Sequence, residues 1–346
     1  MWVVYLPVSF YYVCLALRAR SFFFFSAANP SIETGGMFFE SKWDIFRLIP
    51  PQYYPATLLV HDQENRGDVF RDIQERKMRF PLIAKPNRGE RGWRVEIIKD
   101  EEGLRQYLHT YPCDCLLQEY IDWPVEISVF YCRGVHEKKG RITSLTRKEF
   151  LNVTGDGVSS LAELVTRHER ALLQLDALQK NKEIDLQRVP AENEKVILVP
   201  FGNHIRGAMF LDECDEIDER LCQVFDNISN QVHGFYYGRF DIKCESLEAL
   251  KNGRNFSILE LNGAGAEPAH IYQPGFSFFR AQRVLAQHYR SMFDIARANH
   301  REGVPYMSFR EFREVRAAEK KYKLSVNTAH PSFISYPTTR RATPAW

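Results

Sequence analysis

Two stretches, Gly238-Arg239-Phe240-Asp241-Ile242-Lys243 and Ser257-Ile258-Leu259-Glu260-Leu261-Asn262-Gly263-Ala264-Gly265, both read as β-strands. Side chains alternate along a strand, so Glu260 and Asn262 project to the same side. Asp241 on a neighbouring strand brings a third oxygen ligand to that face, and Arg239, two residues earlier, points the same way. Ile258, Leu259 and Leu261 set these strands against a core. A carboxylate, an amide and a guanidinium gathered there are costly without something to bind. An all-oxygen ligand set suits Mg²⁺, which keeps waters and shares its shell with nucleotide phosphates. Arg239 is placed to neutralise charge growing on a transferred phosphoryl group. A polar strand pair facing solvent is the plainer alternative, and the apolar neighbours count against it.

Upstream, Phe80-Pro81-Leu82-Ile83-Ala84-Lys85-Pro86-Asn87-Arg88-Gly89-Glu90-Arg91-Gly92-Trp93 reads as a buried strand ending in a lysine, followed by a loop with two glycines. Glycines let backbone N–H groups approach phosphate oxygens, and Lys85 supplies a fixed point charge. No Gly-Lys-Ser/Thr follows, so this is not a Walker loop. Between the two regions, Leu117-Gln118-Glu119-Tyr120-Ile121-Asp122-Trp123-Pro124-Val125-Glu126 is a strand entering a proline-bearing link. Such a link presents backbone groups to an adenine edge, and Glu126 can accept from ribose hydroxyls.

The chain of 346 residues has room for two or three compact units. A formal net charge of +2 provides no global basic field, so nucleic acid is not an expected partner. Seven cysteines, scattered and without a CxxC pair, point to reduced thiols in a cytoplasmic setting and away from disulfides or structural zinc. Cys113 and Cys115 are expected on one face of a strand. Residues 1–25 are apolar but broken by Pro7 and Ser9. They lack the length of a spanning helix and the basic start and cleavage site of a signal peptide. They read as an aromatic-rich helix pair that packs on the core or lies at a membrane surface.

No repeat is visible. Strands are expected over 57–61, 82–85, 94–98, 116–120, 125–131, 141–148, 195–200, 239–243 and 257–261, alternating with helices in an α/β or α+β pattern. Prolines 50, 51 and 55 end the helix that Trp43 begins. A capping box, Ser160 with Glu163, opens a helix carrying Leu161, Leu164, Val165, His168, Leu172 and Leu175 at helical spacing, which places His168 in a core. Beyond residue 300 the chain turns charged (Arg310 to Lys323) and then loop-like, with Pro331, Pro337 and Pro344, and its last twenty residues read as an ordered strap or a disordered tail.

In order, these pieces resemble the ATP-grasp superfamily from about residue 41 to residue 290. Ser41-Lys42 with Pro55-Ala56-Thr57 looks like the family's first nucleotide lysine and the opening of its first strand. Lys85 with Gly89 and Gly92 looks like the second lysine and the phosphate cover. Glu119, Tyr120 and Ile121 match the adenine hinge, Glu126 the ribose carboxylate, Asp241, Glu260 and Asn262 the metal ligands, and Arg239 the arginine beside them. Thr154-Gly155-Asp156-Gly157 onward and Val199-Pro200-Phe201-Gly202-Asn203 are similar to the cyanophycin synthetase and glutathione synthetase branch. Arg147 and Lys148 look like basic residues that reach the triphosphate. The metal strands also resemble D-alanine–D-alanine ligases, although no serine for the acceptor carboxylate is evident after Asn262.

The resemblance implies an α+β ATP-grasp fold: two α/β subdomains clamping ATP, with a short aromatic-rich N-terminal segment. It divides the chain into 1–56, a lid over 57–118, a C-terminal subdomain with the metal site over 119–300, and a charged extension over 301–346. It implies an ATP-dependent ligase joining a small-molecule carboxylate to an amine, or to a thiol, through an acyl phosphate. ATP with one or two Mg²⁺ ions, or Mn²⁺, would serve. Arg239, Lys148, Arg147 and Asn203 would act on the phosphoryl group, and Glu267 or His270 would position the amine. A non-catalytic ATP-binding relative and a small-molecule kinase of the same fold are the competing readings. Peripheral membrane contact through residues 1–25 and a homodimer are open.

Overall fold

The computed structural model describes residues 2–62, 66–90, 92–180, 184–199, 202 and 207–328. The expected roles of Asn203 and of the proline-punctuated end fall outside them. The chain begins with helix α1 (Trp2–Ala19), a 3-10 turn at Phe24–Ala27, and α2 (Lys42–Leu48). Ser41 starts α2, its Oγ accepting from Asp44 N at 3.2 Å. Next come β1 (Thr57–Val60), α3 (Arg66–Glu75), β2 (Leu82–Pro86), β3 (Glu96–Ile98), α4 (Glu101–Thr110) and β4 (Cys115–Glu119). The four strands form an antiparallel sheet in the order β1-β4-β2-β3. Val69 and Ile73 of α3 and Leu104 and Leu108 of α4 bury its inward face, where they meet Leu82, Ala84 and Leu117.

The second half supplies β5 (Val125–Cys132), β6 (Arg141–Glu149), β7 (Leu151–Thr154), short helices α5 (Leu161–Arg167), α6 (Glu169–Leu172) and α7 (Leu175–Lys180), β8 (Lys195–Val199) and β9 (Met209–Asp212). These are followed by α8 (Glu219–Gln231), β10 (Tyr237–Cys244), α9 (Leu247–Lys251), β11 (Phe256–Asn262), α10 (Phe278–Arg301) and α11 (Phe309–Thr328). Five strands make an antiparallel sheet ordered β11-β10-β5-β6-β9, and β7 pairs with β8 apart from it. One face of the large sheet is apolar. Ile127, Val129, Leu145, Phe240 and Ile242 pack there with Leu221, Phe225 and Ile228 of α8. The period of two then puts Arg239, Asp241 and Lys243, with Glu126, Ser128 and Lys148 in register beside them, on the other face.

A β-bulge tunes this alternation. Asp241 pairs with Glu260 but Ile242 pairs with Ile258, so Leu259 has no opposite number. The extra residue lets Ile258 face the core while Glu260 faces the polar side.

Several expectations are corrected. The helix expected across His168 breaks there: that residue is half-buried and caps α6, its Nδ1 accepting from Ala171 N at 3.2 Å. Strands β7 and β9 were not anticipated, and the charged stretch after residue 300 forms the helix α11. Cys115 opens β4 whereas Cys113 lies before it, so they do not share a strand face; all seven cysteines are free. The aromatic start is one helix and a turn rather than a helix pair. Leu15, Ala16 and Phe24 are buried with Phe293 of α10. Among the described residues no helix is long and apolar enough to cross a membrane.

Candidate functional site

Between the two sheets lies a cleft of about 430 Å³. From the four-stranded side, β2 delivers Lys85 into it. The ammonium is buried and donates to Gln118 Oε1 at 2.9 Å and to the Leu259 carbonyl, on the bulge, at 3.0 Å. Gln118 is itself held by Thr57, donating to its Oγ1 at 3.0 Å. Burial pushes Lys85 down to about 8, with Glu260 opposing the shift.

Lys42, at the first turn of α2, donates to the Gly89 carbonyl and approaches Glu260 Oε1 at 4.0 Å. Asn87 stitches the glycine loop to that turn: its carbonyl accepts from Lys42 N and its Oδ1 from Trp43 N. Gly89 has φ +143°, and a Cβ there would meet the Trp93 ring at 2.9 Å, so only glycine fits beneath the indole.

The five-stranded side is a charge network. Asp241 accepts from Arg239 through both oxygens, at 3.1 and 3.0 Å, from Lys148 Nζ at 3.2 Å, from the Ser128 hydroxyl and from Asn262 Nδ2 at 3.2 Å. Lys148 also meets Glu126 at 3.0 Å. Burial works against the charge on Asp241, yet Arg239, Lys148 and the Ser128 hydrogen bond hold its carboxyl well below the usual range. The same burial works against Lys148 and Arg239, and Asp241 outweighs it only together with Glu126 at Lys148 and with Glu260 and Glu267 at Arg239, so both are held above their usual range.

At the mouth, Glu119, Tyr120 and Ile121 leave the end of β4. Lys243 reaches across to them, donating to the Ile121 carbonyl at 2.8 Å and standing 5.0 Å from the Tyr120 ring. At the far end Arg239 donates to the Glu267 carbonyl at 3.2 Å, while the Glu267 carboxylate accepts from the Tyr272 hydroxyl. The Tyr5 hydroxyl of α1 meets that of Tyr272 at 2.5 Å.

The cleft thus brings together Lys42, Lys85, Gly89, Gly92, Glu119, Tyr120, Ile121, Glu126, Lys148, Arg239, Asp241, Glu260, Asn262 and Glu267. Arg147 is not among them: one residue from Lys148, it faces the other side of β6 and pairs with Glu213. His270 is also outside the cleft, buried with Nδ1 2.6 Å from Ser144 Oγ.

Sequence reading missed Lys243, although it shares strand parity with Arg239 and Asp241. It missed Glu40, which lines the cleft with one buried carboxylate oxygen lacking a partner and whose pKa burial raises. It also missed Gly36. The Gly35 and Gly36 carbonyls accept from Ala264 N and Gly265 N, and a Cβ on Gly36 would lie 2.6 Å from Gly263 Cα. Here the turn-rich segment over 29–36 meets the Gly263-Ala264-Gly265 run.

The donor set fits a hard cation. Glu260, Glu40 and Asn262 line one cleft and offer carboxylate and amide oxygens, the donors such a cation takes. Asp241 already serves four side chains, so a cation would reach it only by displacing one.

Residues 47–130 match the RimK-like ATP-grasp domain. Among solved structures the chain is similar to a bifunctional glutathione synthetase from Pasteurella multocida, at 17% identity over 69% of this chain and 34% of that one, with a TM-score of 0.34. It is also similar to a D-alanine–D-alanine ligase from Bacillus anthracis (14% identity, 76% and 69% covered, TM-score 0.41). A D-Ala:D-Ser ligase from Enterococcus faecalis gives 12% identity, 74% and 62% covered, and a TM-score of 0.42. The chain therefore spans about a third of the glutathione synthetase's length. No curated protein matches it by sequence. The family match covers β1 to β4 and most of β5, within an architecture of helices and antiparallel sheets that is α+β.

Proposed function

We propose that this ATP-grasp chain is an ATP-dependent ligase that activates a small-molecule carboxylate as an acyl phosphate and joins it to an amine. The observation that supports the reading is the pair of unlike cation sites facing one cleft. Lys85 is buried with only neutral hydrogen-bond partners, whereas Arg239 and Lys148 are clamped around Asp241. A protein that only holds a nucleotide has use for the first. A pre-oriented guanidinium is of most use to charge that develops during phosphoryl transfer.

In this reading the hinge at Glu119 to Ile121 takes the adenine and Glu126 the ribose. The triphosphate runs between Lys42, Lys85 and the glycine loop on one side and Arg239 on the other. Asp241, Glu260 and Asn262 are the residues that would hold Mg²⁺, whose contribution is to neutralise phosphate charge. The carboxylate oxygen attacks the γ-phosphorus as the bond to the β-phosphate oxygen breaks, releasing ADP. The amine nitrogen then attacks the acyl carbon, phosphate leaves, and the amine gives up its proton. Glu267, bordering the far end of the cleft, would hold the ammonium group before that step.

The test is ADP release across pairs of carboxylates and amines, with product mass measured. A product weighing the sum of the pair less one water, formed with equimolar ADP and phosphate, supports the ligase. ADP with a phosphorylated small molecule and no condensation would make it a kinase. Nucleotide binding without turnover on any pair would make it a binder.

A further inference from the structure

Helix α1 divides its apolar side chains between two faces. Val8, Leu15 and Ala16 are buried against Leu285, Met292 and Phe293 of α10. On the opposite face Leu6, Phe10 and Leu17 are 65%, 71% and 66% exposed, with Val13 between them, at the spacing of a single helical stripe. Past the helix end Phe22 is also exposed, its carbonyl accepting from the Tyr12 hydroxyl at 2.7 Å. Scattered exposed leucines need no explanation, but a contiguous apolar stripe does.

Next to the stripe's C-terminal end three guanidinium groups gather on one ring. Arg18, Arg290 and Arg297 lie 5.5, 5.9 and 6.0 Å from the Phe293 centroid. Of these, Arg290 pairs with Asp294 at 2.7 Å, and Arg20, two residues beyond Arg18 and just past the end of α1, is exposed. A net charge of only +2 for the whole chain makes this a local concentration of positive charge.

We propose that this surface lies on an anionic lipid bilayer, with the stripe of α1 in the boundary between acyl chains and headgroups and the arginines on lipid phosphates. No described helix is long and apolar enough to cross, which fits a helix lying in the interface plane. Arginines at its edge keep their charge at headgroup level while their stems cover apolar surface. A second copy of the chain would cover the stripe but bring only the same positive charge to the cluster, whereas anionic headgroups complement it. The proposal is independent of the ligase reading.

The test is sedimentation of the full chain with vesicles of phosphatidylcholine alone or mixed with phosphatidylglycerol. Binding to the mixed vesicles, weakened by salt, is expected. Phe10→Glu with Leu17→Glu should bind on the order of tenfold or more weaker, and Arg18→Glu with Arg297→Glu should lose the preference for anionic lipid. These side chains are exposed, so circular dichroism and the nucleotide-dependent thermal shift should stay as in the wild type. A wild-type chain that remains in the supernatant with both vesicle types overturns the proposal. So does undiminished binding by the Phe10→Glu/Leu17→Glu protein. A dimer in light scattering that this variant abolishes would assign the stripe to a second copy instead.

Discussion

On the wall of the cleft built by β2 and β4, the buried Lys85 has Gln118, a backbone carbonyl and the face of the Phe46 ring for company, and its pKa falls to about 8. On the wall built by β10, β5 and β6, Asp241, Arg239, Lys148 and Glu126 answer one another's charges, and the carboxyl of Asp241 is held well below its usual range. The same burial thus has opposite consequences. One wall keeps a cation short of a counter-charge, which a polyanion can supply. The other is compensated internally and already oriented.

The sharpest way to break this comparison is to remove the hub of the second wall. Asp241→Ala leaves Arg239 and Lys148 facing each other, and should cost about 3–5 kcal/mol of stability in urea titrations. A loss below about 1 kcal/mol would show the network to be solvated rather than compensated. A depressed aspartate contributes stability that is present above its unfolded pKa and lost as pH falls. The wild-type advantage over the variant should therefore be full above roughly pH 4 and shrink in more acidic solution.

Next in size is Arg239→Lys, which keeps the charge and gives up the two-pronged grip on Asp241. If the wall serves the reaction, turnover on the pair found by the product screen should fall on the order of a hundredfold while ATP affinity stays near wild type. Affinity and turnover falling together would mean a binding role alone.

The first wall responds to pH. Above about 8 Lys85 is increasingly neutral in the free protein, so ATP binding must draw a proton and affinity should fall as pH rises. The limit is about tenfold per pH unit, because one proton is taken up. Calorimetric titrations between the two regimes should show this slope, and Lys85→Arg should flatten it. A wild-type slope of zero would mean that Lys85 stays charged in the free protein.

The smallest expected effect is the most diagnostic. Lys85→Met should leave the free protein within about 1 kcal/mol of wild type, since the cost of a buried charge is removed as two hydrogen bonds are lost. It should also abolish the nucleotide-dependent thermal shift. A collapse in stability like that of Asp241→Ala would erase the distinction between the walls.

Much of this arrangement was legible from residue alternation alone. Arg239, Asp241 and Lys243 sit two apart, as do Glu260 and Asn262, and each set reaches the cleft. Alternation also contained a conflict, because Ile258 and Glu260 have the same parity yet belong on opposite faces. The bulge at Leu259 resolves it, and no local pattern announces a bulge. Arg147 and Lys148 are equally basic neighbours, and only the register of β6 decides which one meets Asp241. Glu40 and Gly36 were invisible for another reason: they reach the cleft, and Tyr5 reaches Tyr272 beside it, through packing between segments far apart in sequence, which periodicity does not encode. Asn29 is the clearest case. Read only as turn material, it is buried, bonding the Gly35 carbonyl and the backbone of Tyr236 and Tyr237.

Helix α1 stands at the margin of the chain but not of the molecule. A protease cutting after Ala19 would take away Leu15 and Ala16 from beside Phe293, and one of the partners of the Tyr272 hydroxyl. Tyr272 holds the carboxylate of Glu267, whose carbonyl in turn steadies Arg239. The cut would act at a distance, reaching the guanidinium through Tyr272 and Glu267 at the border of the cleft although α1 carries none of the residues the reading above assigns to ATP or metal.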